Sequence, residues 1–327
     1  VVSSDFTCNY ILKIILAPME GVVDYTMRDL LTQIGGIDQC VTEFVRVSDR
    51  VLPAKVFRRL CPELLNGGKT RAGTPVALQL LGSDPSVLAG NARKAAKLGA
   101  PSIDLNFGCP AKTVNKSKGG AVLLDTPELI YEIVKAVRIA VPSDTPVTAK
   151  MRLGNKDKFL AMENAQAIEE AKADGLTVHA RTKLEGYRPP AHWEWIRLIK
   201  EEISIPVTAN GEVWNWQDYQ KCRNISGCDD VMIGRGLIAK PDLGKVIKHH
   251  QADENVKALD WQEILLIVDR YLDRVEQDIA AKYVHGRVKQ WLYHLQREYT
   301  EAEVLFEKIK KIKEPSLLKL ALYGLFE

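Results

Sequence analysis

At 327 residues, 46% hydrophobic and 27% charged, the chain can build one large barrel with an appendage or two ordinary domains, and it contains no run of about 18 apolar residues that would span a membrane. Its net charge of +3 is too mild to argue for nucleic acid by itself, so any such argument must rest on where charge is placed. Six cysteines (Cys8, Cys40, Cys61, Cys109, Cys222 and Cys228), with no CxxC pair and no Cys/His set at zinc spacing, exclude a disulfide scaffold and a structural metal and point to a cytoplasmic protein.

Residues 1–10 read as a flexible lead-in without the features of a secretory signal. A buried-type strand, ILKIILA from Ile11 to Ala17, ends at Pro18, Met19, Glu20 and Gly21, and Asp24 then caps a helix reaching Gln33. QCVTEFV (39–45) is the second strand. The excursion after it carries Arg46, Arg50, Lys55, Arg58, Arg59, Lys69 and Arg71 against only Asp49 and Glu63. VALQLLG (76–82), SIDLNFG (102–108) and PVTAKMRLG (146–154) follow, each with a helix after it, beginning at Pro85, Pro127 and Leu160. GLTVHART (175–182), IPVTANGE (205–212) and DDVMIGRG (229–236) complete the series, with helices from Trp193, Trp216 and Pro241.

Eight short apolar strands alternating with helices predict a (β/α)8 TIM barrel over residues 11–250; a doubly wound sheet would need a GxGxxG after the first strand, and there is none. Past Gln251 the strand pattern stops. Residues 256–327 predict helices alone, a small all-α bundle joined by the hydrophilic QADENVK.

Working residues of a barrel lie at the carboxyl ends of its strands, and polar side chains collect there. They are Pro18-Met19-Glu20, Gln79, Asn106 with Cys109, Lys150 with Arg152, His179 with Arg181, Asn210-Gly211-Glu212 and Gly234-Arg235. A lysine in an apolar strand is costly to bury without an anionic partner, whereas a lone His179 reads equally as a hydrogen-bonded core residue. The small-residue turns at 210–212 and 234–236 fall where barrels hold phosphate, with Arg235 supplying charge, although each alone is an ordinary tight turn. Cys109 follows a strand and opens a loop ending in Gly119-Gly120, which presents a thiol at the ligand-binding edge; a free cysteine in isolation is more often a small buried hydrophobe.

With these residues assembled, the chain resembles the tRNA-dihydrouridine synthases, FMN enzymes that reduce uridines in the D-loop of tRNA. The resemblance rests on APMEGVVD (17–24), TEFV (42–45), VALQLLG (76–82), DLNFGCPAKTVNKSKGGAVLL (104–124), AKMRLG (149–154), VHART with GYR (178–188), ANGEVW (209–214) and MIGRG (232–236), and is greatest to the bacterial C-type branch, which acts on position 16. It implies FMN held by Pro18, Met19, Glu20, Gln79, Lys150, His179, Asn210, Gly211, Glu212, Gly234 and Arg235, with NADPH as electron donor. Cys109 matches the general acid: hydride goes from flavin to carbon 6 of uracil, and the thiol protonates carbon 5 from the opposite face. Phe107, where relatives often carry a smaller residue, is a departure that touches packing.

A uridine swung out of a folded D-loop needs a basic surface around the barrel mouth. From Ala281 onward, Lys282, His285, Lys289, Tyr293 and Arg297 share one helix face opposite Val284, Val288, Trp291, Leu292 and Leu295. The resemblance assigns tRNA contacts to Arg46, Arg287 and Lys289; Asn106, Arg152 and Arg181 are candidates for the base, Arg297 extends the stripe, and Tyr187 and Arg188 border the pocket. A monomer is expected. A flavin-dependent reductase of free pyrimidines, which needs no basic appendage, and a non-catalytic RNA-binding relative are the competing readings.

Overall fold

The computed structural model describes residues 12–324; the expected lead-in and Ile11 lie outside the described residues. Nine parallel strands close a barrel: β1 (Ile14–Leu16), β2 (Gln39–Val41), β3 (Val45–Arg46), β4 (Val76–Leu81), β5 (Ile103–Phe107), β6 (Val147–Arg152), β7 (Gly175–His179), β8 (Val207–Asn210) and β9 (Val231–Ile233). β1 pairs with β9 and β2, and both β2 and β3 pair with β4, which completes the circle. The eight expected strands are present, with the second broken in two. The break has a cause: Thr42 Oγ1 accepts the Gln79 N–H at 3.0 Å, and Glu43 turns away from the ladder to accept the Gly21 N–H at 2.5 Å.

Because successive side chains of a strand point to opposite faces, one set faces the helices and the other faces the barrel axis. Ile15, Ala17, Val41, Ala77 and Met232 form a small apolar cluster of their own inside the barrel, while Ile14, Leu16, Leu78, Leu105 and Val178 join the main core against the helices. Strand register then sets which polar ends are neighbours. Asn106 lies beside Lys150, Arg152 beside His179, and His179 beside Asn210.

The helices start where side-chain caps permit: Asp24 accepts from the Met27 N–H and Asp84 from the Val87 N–H, each satisfying a donor of the first turn. The basic excursion folds into the helix Ala54–Leu60 and the short turn Pro62–Asn66. It is pinned from beneath by Arg28, whose Nε meets Glu63 Oε1 at 2.8 Å and whose Nη2 meets Oε2 at 3.0 Å, with the two side chains 0% and 1% exposed.

Beyond the barrel, four helices (Trp261–Asp278, Ala281–Leu295, Thr300–Ile309 and Pro315–Leu322) match the expected all-helical region. Val284, Val288, Trp291, Leu292 and Leu295 are buried as their spacing required, and Trp291 packs edge-on to Tyr271 while its Nε1 donates to Ile238 O at 3.1 Å. The seam with the barrel is polar as well: Arg274 donates to Asp29 at 2.7 Å, and Arg287 donates to Gly21 O, Val22 O and Asp24. No described helix is long and apolar enough to cross a membrane.

Candidate active site

The carboxyl ends of the strands surround a cleft in two halves. One, of about 600 Å³, lies among Pro18, Met19, Asn210, Gly211, Gly234 and Arg235; the other, of about 520 Å³, lies among Glu20, Glu43, Asn106, Cys109 and Arg152. Pro18, Lys150 and His179 line both.

Lys150 is the charge at the centre. Its Nζ donates to Asn210 Oδ1 at 3.0 Å, and burial together with the guanidinium of Arg152 pushes its ammonium down to about 8, against the weaker pull of Asp104. His179, 7% exposed, is held well below the usual histidine range by burial and by Arg152, Lys150, Arg181 and Arg235, so its imidazole is neutral. An electropositive half-cleft with an amine short of an anionic partner fits a bound anion, and the backbone around it is close-fitting. A Cβ on Gly234 would sit 3.2 Å from Met19 Sδ, and one on Gly211, at φ +125, would sit 3.1 Å from His179 Cδ2. Those features suit a phosphate-bearing planar cofactor such as FMN. Among the described residues no group of His, Cys, Asp and Glu can hold a metal ion.

In the other half, Cys109 is partly exposed, and burial, with the nearby charge of Glu20, raises its thiol above the ordinary range. The turn that presents it is braced: Asn106 Oδ1 accepts from the N–H groups of Gly108 (3.0 Å) and Cys109 (2.9 Å), and Asn115 Nδ2 donates to Cys109 O at 2.9 Å. Glu20 is pushed up to about 7 by partial burial and by Glu43. The arrangement offers a neutral acid facing a base-sized space, with the Lys150 cation on the shared wall.

A family model described as dihydrouridine synthase matches residues 15–321. The chain belongs to the dihydrouridine synthase family. It is 54% identical over 300 residues to a protein of Aquipseudomonas alcaligenes named tRNA-dihydrouridine(16) synthase, covering 92% of this chain and 95% of that one. A Neisseria meningitidis serogroup B protein of the same name is 51% identical over 303 residues, covering 92% and 91%. Among solved structures, a 2-naphthoyl-CoA reductase bound to 2-naphthoyl-CoA (TM-score 0.55, 13% identity, 74% of this chain and 50% of that chain) shares the fold. So does TcOYE with pHBA (TM-score 0.51, 13% identity, 77% and 91%). The family and branch expected from the motifs are those of these relatives.

Every residue expected to hold the cofactor lines one half of this dihydrouridine synthase cleft or the other. The cations expected to hold RNA are distributed differently. Arg152 is buried, donating to Gly108 O at 2.9 Å, to Thr182 O at 3.1 Å and to Gly186 O at 2.9 Å, so it ties the cysteine turn to the loop after β7. Arg181, fully buried, donates to Arg188 O at 2.7 Å and pairs with Glu212; it braces the wall from behind. Arg46 is exposed and reaches Ser117 Oγ at 2.8 Å, beside the cysteine loop.

Two cations of the stripe beginning at Ala281 have different surroundings. Lys289 Nζ donates to Lys310 O at 3.0 Å and to Ile312 O, closing the end of the helix Thr300–Ile309, while Arg297 lies past its own helix and stacks 3.7 Å from the Trp214 ring centroid. Lys289→Met is therefore expected to cost about 1 kcal/mol in urea unfolding, with the salt slope of RNA binding unchanged; a shallower slope would return Lys289 to a phosphate contact.

Sequence reasoning missed Asp104, Glu43 and Trp214. Asp104 is the most consequential, and its signal was available: it sits two residues before Asn106, on the same face of β5.

Proposed function

We propose that this chain reduces uridine to 5,6-dihydrouridine in the D-loop of tRNA, at position 16, with FMN bound in the cleft and NADPH as electron donor. The observation that carries this reading is a cysteine thiol kept neutral in one half of a cleft whose other half is an electropositive, glycine-walled seat, with Lys150 and His179 between them. Bound there, FMN would supply the hydride.

The chain's own residues do the rest. Cys109 gives its proton to carbon 5 of uracil, and no activating base is needed because the group must start as a thiol. Lys150 supplies positive charge where negative charge develops, the neutral imidazole of His179 supplies an N–H, and Arg235 with the turns at 210–212 and 234–236 holds phosphate. Arg152 fixes the turn bearing the acid. Arg46 and Arg297 offer exposed cations to RNA, with Arg287 and Lys289 supporting the surface from the seam and the bundle. The protein acts as a cytoplasmic monomer, with residues 11–250 as the catalytic domain and 256–327 as the tRNA-binding one.

The test is to incubate purified protein and NADPH with unmodified tRNA and to map dihydrouridine by position. Product at position 16 is expected. Product elsewhere would overturn the position, and flavin reduction by NADPH without product on any tRNA would overturn the substrate.

A further inference from the structure

Behind the cysteine turn runs a chain of polar groups whose donors all point toward Asp104. Gly108 and Cys109 donate their N–H groups to Asn106 Oδ1 at 3.0 and 2.9 Å. Asn106 Nδ2 donates to Gln79 Oε1 at 2.7 Å, and Gln79 Nε2 donates to Asp104 Oδ2 at 2.7 Å. Thr148 Oγ1 donates to the other oxygen, Asp104 Oδ1, at 2.6 Å. Gln79 and Asp104 are 0% and 2% exposed.

An amide side chain fits such a chain in one orientation only, and the two ends agree on which. At one end are backbone N–H groups, which only donate. At the other is a carboxylate, which only accepts. If Asn106 flipped, its NH2 would face two N–H donors; if Gln79 flipped, its oxygen would face the Asp104 carboxylate. With Oδ1 committed to the turn and one Nδ2 hydrogen committed to Gln79, the group Asn106 has left for the cleft is its second N–H.

We infer that Asp104 is a positioning residue that fixes, through Gln79, the polarity of Asn106, so that the cleft meets a pyrimidine with a donor and selects the carbonyl edge of uracil over the amino edge of cytosine. Uracil carries an oxygen at carbon 4 where cytosine carries a donating amino group, so the same N–H that bonds one base repels the other. A chain of aligned donors ending on a charge is also stiffer than its separate bonds. The inference rests on the proposed uridine reduction for its substrate, though not for its geometry.

The test reverses the chain. In Asn106→Asp, two carboxylates flank Gln79, whose NH2 can satisfy one and whose oxygen must face the other. Adding Asp104→Asn lets Gln79 turn around, donating to residue 106 and accepting from residue 104. We expect the single variant Asn106→Asp to lower the melting temperature of the flavin-loaded enzyme, and the double variant to recover at least half of that loss. Uridine reduction should stay depressed about 10²-fold in the double variant, because an oxygen now replaces the N–H in the cleft.

A double variant no more stable than Asn106→Asp would overturn the coupling. A stable double variant that reduces uridine at the parental rate would overturn the polarity claim. The melting measurement needs no RNA, so failure of the coupling is separate from failure of the substrate reading, which the parental enzyme reports alone.

Discussion

Replacing Cys109 by alanine is expected to slow single-turnover reduction of uridine in tRNA by about 10²–10⁴-fold, the usual worth of a positioned proton donor, with flavin content and tRNA affinity unchanged. Cys109 lines the half of the cleft away from the turns at 210–212 and 234–236 that are expected to hold phosphate, and the turn that carries it is braced through its backbone, so the thiol can be removed without disturbing either. The pH dependence has a definite sign. Burial raises the thiol and the charge of Glu20 adds to it, against the N–H of Ala111 and the cations Arg152 and Arg46. The acid therefore stays protonated through neutrality, and the rate should fall only as pH rises past the ordinary thiol value of about 8.5. Stopped-flow oxidation of reduced enzyme by tRNA measures both. A full rate in Cys109→Ala with normal flavin content would assign the proton to another donor.

The largest stability effect is expected at Arg28. Its guanidinium is fully buried, satisfied by both oxygens of Glu63 and by Val23 O and Leu60 O at 3.1 and 3.0 Å. Arg28→Met leaves the Glu63 carboxylate with no cation, beside Cys40 and Cys61. Burial pushes the Cys40 thiol up to about 12, so it stays a neutral group that adds no charge beside the stranded carboxylate. The variant should lose about 3–5 kcal/mol in urea unfolding. Arg28→Met with Glu63→Leu should recover most of it, because an apolar pair of similar volume avoids the desolvation that the ion pair had to offset. Equal losses in single and double variants would mean that the hydrogen bonds to Val23 and Leu60, rather than the pair, hold the segment.

The barrel was legible in the sequence because its evidence is repetitive: eight apolar segments, each closed by turn chemistry and followed by a helix with 3.6-residue periodicity. Strand two was read as one element because QCVTEFV carries apolar pairs, Cys40-Val41 and Phe44-Val45, on both sides of Thr42-Glu43. Its break depends on Thr42 and Glu43 bonding to Gln79 and Gly21, partners that periodicity cannot see. Residues expected to hold the cofactor share one cleft because strand ends converge by geometry alone. Phe107, noted as a departure, is 1% exposed and packs in the core, as its chemistry suggested. The arginines were harder. Arg152 and Arg181 follow their strands just as a ligand-binding residue would, and only the loop after β7, folding over them, decides that they brace backbone carbonyls. Lys289 was read from helix periodicity, which gives a direction but not the carbonyls at the end of a neighbouring helix that occupy it.

The seam at Arg287 ties the cleft wall to the helical region. Its guanidinium grips Gly21, Val22 and Asp24, the residues directly after the Pro18-Met19-Glu20 turn at the cleft, from a helix that belongs to the appended region. A substitution that re-seated this helix to present a different nucleotide would drag on the segment that walls the reaction centre. If the helical region holds tRNA as proposed, the seating of the substrate and the arrangement of the chemistry are coupled through this contact, and a chimera that exchanges the helical region alone is expected to reduce uridine poorly at either target.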